Sequence, residues 1–265
     1  MIIDTMQPRM VPAALGAFAV ASCVFTSATA TAQVNIESVR KQLDTESFGA
    51  RVRFSFATYA GNTQGVNLGT SGIVGGRIGA NTGFVTASAD YARFSGVTDV
   101  QKSFAHLRHN YEVTDFFWWE EFVQSETDHF RRIQVRALAG TGPRFALFET
   151  HKWIELYVGF SYMLEYTSID PSAVILEPAL VHRLNNYVVL TIKPDERVVL
   201  STIMYYQPRF DELSDAHVLN VSSVEFKVTK LLASRIDATT RYESTVPDGV
   251  KHADLEFKSS VELKF

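Results

Sequence analysis

The feature that most constrains the fold of this chain is an alternation of apolar and polar residues that recurs along most of its length. It is clearest at the C-terminus, where the apolar members of the pattern are Leu255, Phe257, Val261, Leu263 and Phe265. Successive side chains of a β-strand point to opposite faces of the sheet, so a period of two gives a strand one apolar and one polar face. The chain is therefore predicted to be all-β from residue 47 onward.

Twelve strands are predicted, separated by short turns. Their bounds are 47–60, 64–77, 82–94, 99–113, 115–126, 129–145, 151–168, 177–192, 196–208, 216–229, 231–245 and 252–265. An even number of strands places both ends of the barrel chain on one side, which we assign to the periplasm. The turns near residues 114–115, 193–196 and 229–230 then face the periplasm, and the loops at 61–62, 95–98, 170–171, 210–215 and 246–251 face outward.

Two environments could cover the apolar faces: the core of a soluble sandwich, or lipid. The predicted seventh strand, 151–168, carries six large apolar residues on one face over about 30 Å, which is the thickness of the bilayer's hydrocarbon layer. Aromatic residues also cluster near predicted strand ends, as they do at membrane–water interfaces. We therefore predict a transmembrane antiparallel up-and-down β-barrel of about 12 strands over residues 47–265.

Residues 1–32 have the three-part layout of a secretory signal peptide. A basic residue, Arg9, precedes the apolar run 11–25, and Ala30 and Ala32 occupy the −3 and −1 positions of an A-x-A cleavage site. The run is shorter than the roughly 20 residues that a membrane-spanning helix needs. A buried N-terminal helix is the alternative, although nothing in the sequence caps one.

Cleavage after Ala32 would remove Cys23, the only cysteine, and would exclude disulfides and thiolate sites from the mature protein. In a second interpretation, residues 20–23 form a lipoprotein processing box and Cys23 is lipidated. No apolar window of about 20 residues follows Ala32, which excludes a helical inner-membrane protein. Residues 33–46 are predicted to be a periplasmic N-terminal segment, with Ile36, Val39 and Leu43 on one helical face.

Several short motifs, in order, resemble the salt-induced outer-membrane protein family of bacteria. They are Asp128-His129-Phe130, Arg136, Gly140-Thr141-Gly142, His182-Arg183-Leu184, Tyr206-Gln207-Pro208 and the stretch from Tyr242 to Val250. The resemblance covers roughly residues 47–265. It implies an outer-membrane β-barrel with a link to salt or osmotic stress, and it implies no molecular activity, because none is established for the family.

The polar faces of the predicted strands carry charges of both signs, which are predicted to line the lumen. These residues are Arg51, Arg53, Arg108, Glu112, Arg132, Arg136, Glu155, Glu165, Arg235, Asp237, Arg241, Glu243, Glu256 and Glu262. Unpaired charges in a narrow lumen are costly, so opposite charges are expected to pair across strands. Two functions stay open: an ion-pair network that fills a structural barrel of the envelope, or a charged constriction that selects small solutes in a porin-like channel.

A lipid-modifying hydrolase is the alternative from a different class, with Ser125 and His129 as a pair at the rim. Nothing in their spacing forces contact, so we predict no enzyme. We also predict no metal site and no cofactor, because the histidines lack ligand spacing.

The predicted partners are outer-membrane lipid and lipopolysaccharide, with no nucleic acid, since the net charge is −4. The apolar C-terminal residues Val261, Leu263 and Phe265 resemble the signal that barrel-assembly machinery reads. A monomer in the bacterial outer membrane is expected.

Overall fold

Twelve antiparallel strands close into a single barrel. The computed structural model describes residue 43 and residues 47–59, 65–94, 97–129, 131–151, 153–173 and 179–265. The strands are β1 (Phe48–Tyr59), β2 (Gly65–Ile78), β3 (Asn81–Phe94), β4 (Val97–Thr114), β5 (Phe117–Asp128), β6 (Ile133–His151), β7 (Ile154–Ile169), β8 (Leu180–Ile192), β9 (Val198–Pro208), β10 (Ala216–Lys227), β11 (Leu232–Glu243) and β12 (Ala253–Lys264). Each strand pairs with its neighbours in sequence, which confirms the predicted up-and-down topology.

The barrel closes between its first and last strands. Val52 of β1 lies opposite Leu263 of β12, and the backbone groups of Ala50 and Phe265 exchange hydrogen bonds of 3.0 and 2.8 Å. Closure leaves no open sheet edge, which is what allows a β-structure to exist in lipid. The predicted signal peptide lies outside the described residues, as does the predicted N-terminal segment apart from Leu43.

Both ends of the barrel chain reach the same rim. We call this rim the terminal mouth; it carries Ser47, Phe265 and the tight turn at Gly79, whose φ of 59° is one that glycine adopts without strain. The opposite rim, the loop mouth, carries the connections after β5, β7, β9 and β11. That the terminal mouth faces the periplasm stays a prediction from the sequence.

Polarity is inverted relative to a soluble protein. Glu165 and Arg183 have side chains that point inward and are 1% and 0% exposed, whereas Phe160, Met204 and Phe257 point outward and are half exposed or more. Soluble proteins bury apolar side chains and expose charged ones. An apolar exterior around a polar interior is the arrangement of a transmembrane barrel, so the predicted fold class is confirmed. No helix in the described part of the chain is long and apolar enough to cross a membrane.

Irregularities in β6 change the predicted faces of that strand. Strict alternation along the predicted strand 129–145 would put Ile133 and Val135 on one face, but Ile133 is buried and Val135 is exposed, because the β5–β6 and β6–β7 registers both shift there. A β-bulge adds one residue to one strand and so reverses which face the following side chains occupy. The strand also continues to His151, beyond its predicted end at residue 145.

Candidate functional site: the charged lumen

The structure places most of the predicted lumen residues inside the barrel. Those with buried side chains are Arg51, Arg108, Arg136, Glu155, Glu165, Arg235, Asp237, Arg241, Glu243, Glu256 and Glu262. Arg53 and Glu112 are partly buried, and each forms an ion pair, with Glu262 at 2.8 Å and with Arg77 at 2.6 Å. The alternating pattern therefore located charged side chains that a soluble fold would expose.

Arg132 is a correction to the predicted set. It lies in the turn between β5 and β6 with a φ of 58°, and its neighbour Arg131 is the residue whose side chain enters the lumen. Arg131 pairs with Glu243, and its backbone N–H donates to the Asp128 carboxylate at 3.1 Å. The left-handed backbone at Arg132 ends the alternation at the turn, so parity counted along the strand selects the wrong arginine.

A network centred on Glu243 spans the lumen near the loop mouth. Arg136 Nη1 lies 3.0 Å from the Glu243 carboxylate and 3.4 Å from Glu126, and Arg136 Nε lies 3.0 Å from Glu165. Glu126 and Glu165 stand on the strands beside Arg136, whereas Glu243 stands on β11, five strands away around the ring. The Arg136–Glu243 pair therefore crosses the barrel and constricts it.

The loop after β9 extends this network to the rim. Arg183 Nε lies 2.9 Å from Glu165, and Arg183 Nη2 lies 3.4 Å from Asp215 at the end of the loop. Arg209, at the start of the loop, forms ion pairs of 2.7 Å with Asp211 and 3.2 Å with Asp215. The hydrogen bond from Arg209 holds the pKa of the Asp211 carboxyl below its usual value.

A second network lies near the terminal mouth. Glu262 on β12 accepts hydrogen bonds from Arg51 at 2.9 Å and from Arg53 at 2.8 Å. Glu225 on β10 pairs with Lys264 and lies 3.4 Å from Arg51. Acidic and basic side chains from several strands thus pair with one another, which buried charges require once they are removed from water.

An apolar cluster inside the barrel was not predicted from the sequence. Its members are Tyr157, Tyr187, Val189, Ile203, Tyr205, Leu219 and Val221, on the lumen faces of β7–β10, and we call this surface the aromatic wall. β9 and β10 alternate poorly in sequence because their inner faces here are as apolar as their outer faces. The weak alternation of these two strands is the sequence signal by which the wall could have been found.

The tyrosines of the aromatic wall contact charged side chains on the nearby strands β5 and β6. The Tyr187 hydroxyl donates to Glu120 on β5, and the Arg144 guanidinium lies 4.1 Å from the ring centre of Tyr157. Gly159 makes this packing possible, because a Cβ there would lie 2.2 Å from the Tyr187 ring. The wall therefore fills one side of the lumen with large side chains.

The facing side of the lumen is lined by small residues. Ser55, Gly69, Ser71 and Ser88, on β1–β3, form what we call the small-residue wall, and they border a cavity of about 50 Å³. A second cavity of about 30 Å³ lies under the Glu243 network. The two cavities adjoin along β10 and β11: Val221 and Thr239 line the first, and Leu219 and Arg241, two residues away on the same faces, line the second. Together they form a polar path beside the aromatic wall.

The structure does not bring Ser125 and His129 together. Ser125 is exposed on the outer face of β5, opposite Ala105 and Ala137, and His129 follows the end of that strand. The two residues are four positions apart along the chain, which separates their Cα atoms by about 13 Å in an extended strand. A nucleophile and its base must lie within hydrogen-bond distance, so the hydrolase alternative is unsupported. Among the described residues, no group of three or more His, Cys, Asp and Glu side chains is arranged to hold a metal ion.

A closed ring of twelve antiparallel strands, apolar outside and polar inside, defines the class of this protein as a transmembrane β-barrel. The chain belongs to a family described as proteins of unknown function, DUF481, whose sequence profile matches residues 52–265. This confirms the family resemblance drawn from the motifs, while the link to salt stays a prediction. A search of curated protein sequences found no match.

Among solved structures, the chain is similar to several outer-membrane barrels. It is 6% identical to the KdgM porin in complex with disordered oligogalacturonate, with a TM-score of 0.48, covering 82% of this chain and 99% of that one. It is 11% identical to the NanC porin, with a TM-score of 0.43 and coverage of 82% and 97%. It is 9% identical to the translocator domain of the autotransporter NalP from Neisseria meningitidis, with a TM-score of 0.47 and coverage of 87% and 92%.

Proposed function

We propose that this protein is a narrow channel of the bacterial outer membrane for small polar or ionic solutes. The observation that carries the proposal is the pair of adjoining cavities of about 50 and 30 Å³, which are lined by hydroxyl groups and by charges of both signs and are large enough for water. A wholly structural barrel has no need of polar space beside a packed wall. Water-filled polar space inside a closed barrel is how solutes cross a membrane.

The apolar exterior supports residence in the outer membrane. Val261, Leu263 and Phe265 point outward on the last strand and are 52%, 37% and 63% exposed, so they are available to lipid and, during insertion, to barrel-assembly machinery. The predicted signal peptide supplies the route of export. We propose contact with phospholipid and lipopolysaccharide, and a monomer.

The Arg136–Glu243 pair sets the expected behaviour of the channel. The two side chains meet across the lumen, with 3.0 Å between Arg136 Nη1 and a Glu243 carboxylate oxygen. Because the pair narrows the lumen and its charges are opposite, the constriction should pass only small solutes and select weakly between anions and cations. Conductance should therefore be small compared with that of wide porins of 16–18 strands, because diameter grows with strand number.

Single-channel recording combined with thiol labelling tests this function. Ser88→Cys lines the larger cavity beside the small-residue wall, and Ala87→Cys, the preceding residue, faces outward. A charged, membrane-impermeant thiol reagent should lower the conductance of Ser88→Cys and leave that of Ala87→Cys unchanged. A folded barrel that shows steady silence, with Ser88→Cys unreactive, would reject the channel.

A filled structural barrel is the second candidate, and the ion pair across the lumen favours it. In this case the networks stiffen the wall and no solute passes. Silence of the folded protein in bilayers, together with loss of envelope integrity in a deletion strain, would support this candidate over the channel.

The link to salt or osmotic stress rests on the family resemblance. The lumen pairs that would respond to salt are mostly buried, and buried pairs are screened far less than exposed ones. An osmotic role would therefore act through the amount of protein expressed or through the flux of solutes across the channel. Growth of a deletion strain across a range of NaCl and sucrose concentrations tests it, and unimpaired growth throughout would remove the link.

A further inference from the structure

The lipid-facing surface of the barrel carries an apolar groove across β8–β12. The groove has a free volume of about 410 Å³, and its apolar lining comes from all five strands: Leu190, Leu200, Val224, Ile236, Ala238 and Phe257. We propose that this groove binds one acyl chain of an anionic phospholipid, whose headgroup lies at the terminal mouth. The site is on the outer face and does not depend on conduction through the lumen.

Strand register accounts for the shape of the groove. Leu190, Thr202, Ser222, Ala238 and Phe257 are successive partners across β8–β12, so they form one row of outward side chains. The two large side chains stand at the ends of this row, and the three small ones lie between them. Phe257 is 65% exposed and therefore projects from the barrel wall. The row thus has two raised sides and a low floor, a shape that a flexible hydrocarbon chain can fill.

The polar side chains of the floor satisfy one another. Asn220 Nδ2 donates to Thr202 Oγ1 at 2.9 Å, the hydroxyls of Thr202 and Ser222 are 2.9 Å apart, and the Ser222 hydroxyl donates to Asn220 Oδ1 at 3.0 Å. A polar group left without a partner in hydrocarbon would be costly. Because these three bond among themselves, the occupant does not have to supply a hydrogen-bonding group, which favours an acyl chain over a second copy of the protein.

Positive charge lies at the terminal-mouth end of the groove. Arg197 and Lys227 stand at this end of β9 and β10, Lys230 stands in the turn between β10 and β11, and all three are exposed. No ion pair joins them to another described residue. Two acids lie nearby: Asp195, which accepts a hydrogen bond of 2.6 Å from the Arg197 backbone N–H, and Glu196. Cations thus outnumber acids at this rim, and basic clusters at a membrane surface attract anionic headgroups.

The distance between these cations and the groove suits a single lipid. Leu200 follows Arg197 by three residues and Val224 precedes Lys227 by three, which corresponds to about 10 Å along a strand. The floor at Thr202 lies two residues deeper, near the middle of a hydrocarbon layer about 30 Å thick. A chain that starts at the rim and ends at the floor therefore stays within one leaflet.

Native mass spectrometry of the folded protein in detergent micelles tests the acyl chain. After incubation with equal amounts of phosphatidylglycerol and phosphatidylcholine that carry the same chains, the wild type should retain one lipid. Ala238→Trp fills the floor and should lose that lipid, whereas Ala87→Trp, on the outer face of β3, should keep it. No retained lipid in the wild type, equal retention in the two variants, or a dimer that only Ala238→Trp dissociates overturns the proposal. If Ala238→Trp does not fold, Val224→Phe with Val85→Phe as its control gives the same comparison.

Replacement of the rim cations tests the headgroup. The wild type should retain phosphatidylglycerol over phosphatidylcholine by about fivefold or more, since each basic residue near a membrane surface contributes about that factor. The triple variant Arg197→Gln, Lys227→Gln, Lys230→Gln should retain the two lipids equally. Lys251→Gln, which changes an exposed lysine at the loop mouth, should keep the preference. Equal retention of the two lipids by the wild type, or an unchanged preference in the triple variant, overturns the anionic headgroup.

Discussion

The two sides of the lumen solve the same packing problem differently. The aromatic wall on β7–β10 projects Tyr157, Tyr187 and Tyr205 toward the axis, while the small-residue wall on β1–β3 presents serines and a glycine to a cavity of about 50 Å³. A twelve-stranded barrel is wide enough that its inward side chains do not have to fill the lumen evenly. The difference shows that the free space is off-centre: one wall provides stability and the other borders the polar path.

Charge follows the same division. Beside the aromatic wall, Glu120 is satisfied by the Tyr187 hydroxyl, and Arg144 stacks on Tyr157. Around the small-residue wall, Lys258 pairs with Asp90 at 2.6 Å and both line the cavity. Substitutions on the first wall should therefore change stability, and substitutions on the second should change conduction.

The largest expected effect is on the stability of the aromatic wall. Tyr187→Ala removes a buried ring and one hydrogen-bond donor to Glu120, so we expect a loss of about 3–5 kcal/mol in the free energy of unfolding. Ser71→Ala on the small-residue wall should stay within about 0.5 kcal/mol. Urea unfolding in phospholipid vesicles, followed by tryptophan fluorescence, measures both. Similar losses at the two sites would remove the distinction between the walls.

A smaller loss is expected at the ion pair that crosses the lumen from β6 to β11. Glu243→Gln keeps an acceptor oxygen but leaves Arg131 and Arg136 with less negative charge, and we expect a loss of about 2–3 kcal/mol in unfolding free energy. Glu121→Gln is the control, because Glu121 is exposed on the outer surface with a side chain 60% accessible. An effect no larger than that of the control would show that the pair across the lumen contributes little.

The alternation of residues was enough to predict the strand count, the topology and most of the buried charges. It could not predict the aromatic wall, because an apolar inner face removes the contrast on which the method depends, as Ile203 and Leu219 show. It selected Arg132 instead of Arg131, since a bulge and a left-handed turn are set by local backbone geometry. The cross-lumen partners of Glu243 depend on barrel closure, which no local pattern encodes.

A moderate effect on conduction is expected when the open side is filled. Ser88→Trp places a large ring in the cavity beside the small-residue wall and should at least halve single-channel conductance, while the unfolding free energy falls by about 1–3 kcal/mol. Ala87→Trp adds the same ring on the lipid side and should leave conductance unchanged. If Ser88→Trp conducts like the wild type, solutes do not follow the small-residue wall.

The smallest expected effect concerns the outer turn that continues from the aromatic wall. Asp170, just after β7, accepts hydrogen bonds from the Ser172 backbone N–H at 2.8 Å and from the Ser172 hydroxyl at 2.7 Å, and these hold the pKa of its carboxyl below the usual 3.8. A folded-state pKa below the unfolded value stabilises the turn above pH 3.8, and this stabilisation is lost as pH falls through the folded-state pKa.

Ser172→Ala separates the two hydrogen bonds of this turn. The NMR titration midpoint of Asp170 should rise toward 3.8 but stay below it, because the backbone N–H still donates. Ser214→Ala, in the loop after β9, should leave the midpoint of Asp170 unchanged. A midpoint at or above 3.8 in the wild type would mean that the turn is not formed in solution. The turn that follows β7 would then lack the two hydrogen bonds that Asp170 accepts from Ser172.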